Sequence, residues 1–200
     1  MKSLGCLALV CYAVHAGFHL YHGRPEDLLW ACHVGAAVVG LGLILSSATL
    51  NGMGVLLLCM GTPLWLLDLA GGGEFYPTSC FTHLGGLAIG IYGLYRLGMA
   101  RGTWWKTSIT LVALIGFCRV VTPEHANVNV AFAIERGWES YFPSHGLYLT
   151  AMIAEATIYF LVLEIIVRRG IKWRTDNRQR PGISSPRASA TPGPLRVREP

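Results

Sequence analysis

Charge is scarce in this chain. Asp, Glu, Lys and Arg make up 14% of its 200 residues against 52% hydrophobic, at a mean hydropathy of +0.46, whereas an ordinary soluble domain carries about 25% charged residues. A water-facing surface of normal composition is thereby excluded over most of the length. Several apolar stretches approach the roughly 20 residues that cross a bilayer. Also missing are the P-loop, HExxH, GxSxG and dinucleotide fingerprints, which leaves those common chemistries without support. The six cysteines (Cys6, Cys11, Cys32, Cys59, Cys80, Cys118) are scattered one or two per hydrophobic segment. Nothing there indicates a disulfide framework, and most read as small packing residues. No solenoid-type repeat is visible.

Positive charge is nearly absent from the body of the chain. From residue 168 onward nine Lys or Arg face only Asp176 and Glu199, while the preceding residues carry seven basic against nine acidic groups. The net charge of +5 therefore belongs to a tail, and the body offers no electrostatic footprint for nucleic acid. The tail is also rich in Pro, Ser and Arg, with no apolar pattern able to offset the entropy of ordering, so 168–200 reads as a basic, disordered segment.

What is present is a series of apolar segments, and the expected fold is an all-α, polytopic membrane protein with six transmembrane helices in one domain, 1–167. The spans are expected at about 4–21, 28–46, 53–70, 79–99, 103–121 and 145–167. For the first, a cleaved signal peptide competes, because a small-residue site follows a short apolar core; continued apolar character through Phe18 and Leu20 favours a retained helix. Ala36 with Gly40, and Gly86 with Gly90, have the four-residue spacing that allows close helix approach. Pro63 removes one helical hydrogen bond and should kink its helix near Cys59. Within the connection 122–144, VAFAIERGWESYF is expected to form an interfacial amphipathic helix anchored by Trp138, Tyr141 and Phe142.

The stretch VHAGFHLYH places His15, His19 and His22 at i, i+4 and i+7, hence along one helical stripe. Such a stripe in a membrane helix turns inward, toward partners or water, and marks a functional site by default. Counting Lys and Arg near the span ends puts both termini in the cytoplasm; the expected location is a bacterial inner membrane or another plasma membrane. His15, His19, His22, His33, His83 and His145 then fall in the outer half or at the outer surface, with Asp68, Cys80 and Arg119; His125 lies in an outer loop. Glu155 lies deeper, at the middle of its span, where it requires a proton, a partner or water. Glu164, near the cytoplasmic end, can reach Arg168. His22 and His125 read as interfacial. HxxxH is the spacing by which a helix presents two nitrogens to one metal.

In the second half, PTSCFTH opening one span, VTPE closing the next, a long aromatic loop and then YFPSHGL opening the last resemble the YwaF-like integral membrane family, over roughly residues 77–155. Relatives of that family look like transmembrane cysteine and histidine lipid acyltransferases. The resemblance implies that Cys80 is the nucleophile and His145 its base.

Two main functional expectations follow, of different classes. In one, the protein transfers or hydrolyses the acyl group of a membrane lipid: Cys80 attacks the carbonyl, His145 or His83 takes the thiol proton, and Arg119 holds phosphate or the developing oxyanion. In the other, His15, His19, His33, Asp68, His83 and His145 supply ligands for haem or zinc, for electron transfer or metal-dependent hydrolysis. A third, nonenzymatic reading is a sensor or assembly protein in which the outer histidines protonate together.

Overall fold

The computed structural model describes residues 1–179, so the expectation of disorder beyond residue 179 lies outside the described residues. Among the described residues every regular element is a helix and there is no strand. The helices are α1 (Lys2–Tyr21), α2 (Ala31–Ile44), α3 (Ala48–Ala70), α4 (Pro77–Cys80), α5 (Gly86–Leu97), α6 (Thr103–Val121) and α7 (His145–Gln179). The last runs on past the boundary expected at Val167, so the start of the basic segment continues a helix. Four helices are long and apolar enough to cross a membrane: α1, α3, α6 and the stretch His145–Ile171 of α7. At 14 residues, α2 reaches only about 21 Å at a rise of 1.5 Å per residue. The run 77–97 is helical from end to end but changes pitch, because a π-helical turn, Phe81–Gly85, separates α4 from α5.

Small residues decide how the helices meet. The most extensive packing joins α2 to α3, followed by α1 to α2. A β-carbon at Gly54 of α3 would lie 2.5 Å from the Gly35 carbonyl oxygen of α2, and one at Gly5 of α1 would lie 2.7 Å from the Gly40 carbonyl oxygen. These backbones touch directly, which only glycine allows. The two small-residue stripes seen in the sequence face each other: Ala36 packs where a side chain at Gly86 would stand. Around these contacts Val39, Leu43, Val55, Leu56, Leu57 and Leu58 form the fully buried core. Helix α7 packs mainly on α6 and touches α3.

Polar groups close the gaps that this packing leaves. Pro63 lies inside α3 and cannot donate to the Cys59 carbonyl four residues back; the Tyr159 hydroxyl of α7 donates to that carbonyl at 2.9 Å. Tyr159→Phe is expected to leave it unpaired in an apolar setting and to cost about 1–3 kcal/mol, read as a lower Tm in detergent. Glu164, 4% exposed, reaches Arg168 at 3.3 Å. It also accepts from the backbone N–H groups of Gly102 (2.9 Å) and Trp104 (2.8 Å), capping the start of α6 where the helix dipole favours a carboxylate.

The segment VAFAIERGWESYF does not form the amphipathic helix expected of it. The chain there is irregular, after two short 3₁₀ turns, Glu124–Ala126 and Val128–Val130. Asn127 and Asn129 adopt positive φ, a conformation their short polar side chains tolerate. The Asn127 side chain then accepts from the N–H groups of Phe132 and Ala133, diverting them from a helical ladder. Asn129 ties the loop to the bundle: its Oδ1 accepts from Ala31 N–H at the start of α2, and its Nδ2 donates to the Leu29 carbonyl.

Candidate metal centre

The i, i+4 spacing of His15 and His19 puts both rings on the buried face of α1, at 1% and 4% exposure. The helix ends at Tyr21, and Gly23, with φ 69°, reverses the chain. Pro25 then opens a 3₁₀ turn, Pro25–Leu29, that folds back beneath α1. The turn carries Asp27, 5% exposed, to His19, and delivers His33 on the first turn of α2 to the same point.

Three imidazole nitrogens converge there. His15 Nε2 lies 3.0 Å from His33 Nε2 and 3.2 Å from His19 Nε2, and donor atoms of all three rings fall within 4.8 Å of one another. Two of the opposite nitrogens are hydrogen-bonded and the third lies beside a carboxylate. His33 Nδ1 donates to the Asp27 carbonyl at 2.6 Å, and His15 Nδ1 hydrogen-bonds Thr78 Oγ1 at 2.9 Å. His19 Nδ1 is 3.1 Å from Asp27 Oδ2; it is off the N–H direction, so neither atom has hydrogen-bond geometry and charge alone couples them.

No distribution of protons over neutral rings satisfies this arrangement. A carbonyl only accepts, so His33 carries its proton on Nδ1 and turns a bare Nε2 lone pair inward. The negative charge of Asp27 beside Nδ1 favours the same tautomer on His19. His15 Nε2 faces both lone pairs, yet a single N–H can answer only one of them. One cation at the centre answers all three, with His15 donating from Nδ1 to Thr78. Four-coordinate zinc, with Zn–N bonds of about 2.0–2.1 Å, spaces its ligand nitrogens by about 3.3 Å, close to the 3.0 and 3.2 Å that separate His15 Nε2 from the other two. The donor set does not fit haem, because axial imidazoles stand on opposite faces of a macrocycle and these nitrogens are too close together to admit one.

Further polar groups hold Asp27 and His19 in place. Arg24 Nε is 2.7 Å from Asp27 Oδ2, and its Nη1 donates to the Tyr76 hydroxyl at 2.7 Å and to Glu74 at 3.3 Å. The Tyr76 hydroxyl donates to Glu74, and its ring stands edge-on to His19. That hydroxyl foremost, with Arg24 adding, holds the Glu74 carboxyl below the ordinary carboxylate range. Asp27→Asn keeps the shape but removes the carboxylate behind His19, and is expected to weaken zinc binding about 10–100-fold, measured by chelator competition.

Not every residue singled out in the sequence arrives at this point. His83, on the π turn and 2% exposed, is beside the centre: its ring centroid is 5.7 Å from that of His33. His145 is elsewhere, with Nε2 donating to the Val130 carbonyl at 2.9 Å. Asp68, Arg119 and Glu155 are exposed on their helices, as are His22 and His125 on theirs or in loops. Cys80 is half-buried, and the π turn begins directly after it, so it and His83 are not one α-helical turn apart. Among the described residues no hydrogen bond joins Cys80 to His83 or His145. Sequence reasoning missed Asp27 and Thr78. Only Asp27 leaves a signal, an acidic residue eight positions after His19 across a Gly and Pro turn. Set against known proteins, the chain matches no family model, no curated protein and no solved structure.

Proposed function

We propose that this chain is a metal-binding membrane protein in which His15, His19 and His33 hold a divalent transition ion, zinc by preference, through their Nε2 atoms. The observation that carries the reading is the convergence of three buried Nε2 atoms, with His15 and His33 held from behind by hydrogen bonds to Thr78 and the Asp27 carbonyl and the Asp27 carboxylate beside His19. Neutral imidazoles suit zinc, and three protein ligands with a fourth position open are the arrangement of catalytic sites. An ion held there would supply Lewis-acid chemistry toward water or an ester carbonyl. The thiol reading has less behind it, since nothing in the geometry pairs Cys80 with a base.

The bundle crosses the membrane six times in this reading: the four long helices, α2 lengthened by the turn before it, and the run 77–97 taken as one span. The excess of Lys and Arg at residues 2, 96, 101, 106 and beyond 168 places both termini in the cytoplasm by the positive-inside rule, and the histidine centre in the outer half.

The test is the zinc content of protein purified in mild detergent, by mass spectrometry. About one ion per chain is expected, with affinity falling at least about tenfold in His15→Ala, since even an outer-shell partner is worth that much. A folded, unstripped protein that carries no transition metal above background overturns the reading.

A further inference from the structure

We propose that Cys32, His33 and His83 form a second seat for the ion, sharing His33 with the three-histidine centre and replacing two of its nitrogens with a thiolate and a fourth imidazole. The proposal rests on the first centre being a metal site. Donor atoms of Cys32, His33 and His83 lie within 4.8 Å of one another. His33 belongs to both donor sets, and because its Nδ1 is committed to the Asp27 carbonyl, its Nε2 is the one atom it can offer. The two seats are therefore alternatives for a single ion, one nitrogen apart.

The residues of the second seat are held in place by packing. The ring of His83 stacks on Trp65 with centroids 4.6 Å apart and planes 3° from parallel, and its Nδ1 faces Thr62 Oγ1 at 3.5 Å. The π turn that presents His83 is the kind of helix insertion often found at functional positions. Cys32 is fixed by the α2 and α3 contact, its β-carbon lying where a side chain at Gly61 would stand, 2.5 Å away. The chemistry of the seats differs. Three imidazoles suit borderline divalent ions, whereas a thiolate with two imidazoles favours softer binding and releases the thiol proton to water as the S–metal bond forms. Neither step changes an oxidation state. The pair gives a buried ion two adjacent resting positions along one path between α1 and α3.

Cobalt(II) distinguishes the seats, because thiolate ligation adds a sulfur-to-cobalt charge-transfer absorption in the near ultraviolet. The full chain in detergent, stripped with chelator, is titrated with cobalt(II). The variant His15→Ala/His19→Ala is expected to bind about one cobalt with that absorption. Adding Cys32→Ala should abolish the absorption and weaken binding at least about tenfold, while adding Cys80→Ala instead should leave both intact. If the wild-type chain binds cobalt and the folded double variant binds none, or binds it without the absorption, the second seat is overturned and the three-histidine centre stands. If the wild-type chain binds none, the three-histidine reading fails and the second seat falls with it. Should the double variant misfold, His19→Ala alone gives the same reading, with the thiolate absorption present or absent.

Discussion

Replacing His33 with alanine is expected to abolish retention of zinc, with a loss of affinity of at least about a hundredfold, since changes to groups that merely hydrogen-bond a ligand cost about 10–100-fold. No other histidine substitution should do as much, because His33 is the one ring common to both donor sets. It also sacrifices the bond from Nδ1 to the Asp27 carbonyl, which orients the 3₁₀ turn and hence the carboxylate behind His19. The cost to the metal-free fold is far smaller, about 1–3 kcal/mol for one buried acceptor left unpaired. Zinc content and Tm measured on the same preparation therefore separate ligand loss from unfolding: zinc vanishes while the stripped protein still melts cooperatively. His125→Ala, exposed in its loop, should change neither. A folded His33→Ala protein that keeps zinc with wild-type affinity would remove His33, and with it the shared corner, from the site.

How much of this was legible in the sequence depends on whether a feature is local. The HxxxH spacing fixes a shared face of α1 with no tertiary information, and Pro63 frees the Cys59 carbonyl wherever α3 packs. Which histidines meet is not local. His33 reaches His15 because Gly23 and Pro25 fold the chain back, whereas His145, also at the start of a helix, is taken by the Val130 carbonyl of a loop whose path depends on two asparagines in the left-handed region. Asp68 and Asp27 look alike in a hydropathy profile, each at the margin of a span; only the tight 3₁₀ turn buries the second. The spacing of Cys80 and His83 implies one α-helical turn, but the π insertion between them depends on packing against α1 and α2 and left no mark in the residue pattern.

Gly54→Ala is expected to be strongly destabilising, and Gly17→Ala to be harmless. Both glycines lie inside helices where alanine is intrinsically favoured by about 1 kcal/mol. At Gly17 a β-carbon meets nothing within 4 Å, so the substitution should be neutral or raise stability by up to that amount. At Gly54 it would press on the Gly35 carbonyl oxygen at 2.5 Å and on the Val39 nitrogen at 2.7 Å. Those are backbone atoms with no rotamer to change, so α2 and α3 must separate, at a cost of about 3 kcal/mol or more. The separation also reaches the site, because Gly35 is two residues from His33 and the Cys32 contact at Gly61 lies further along the same seam. Gly54→Ala should thus lower both Tm and zinc affinity, whereas Gly17→Ala lowers neither. Equal melting temperatures for the two variants would show that α2 and α3 do not meet backbone to backbone, and would take away the scaffold on which His33 and Cys32 are held.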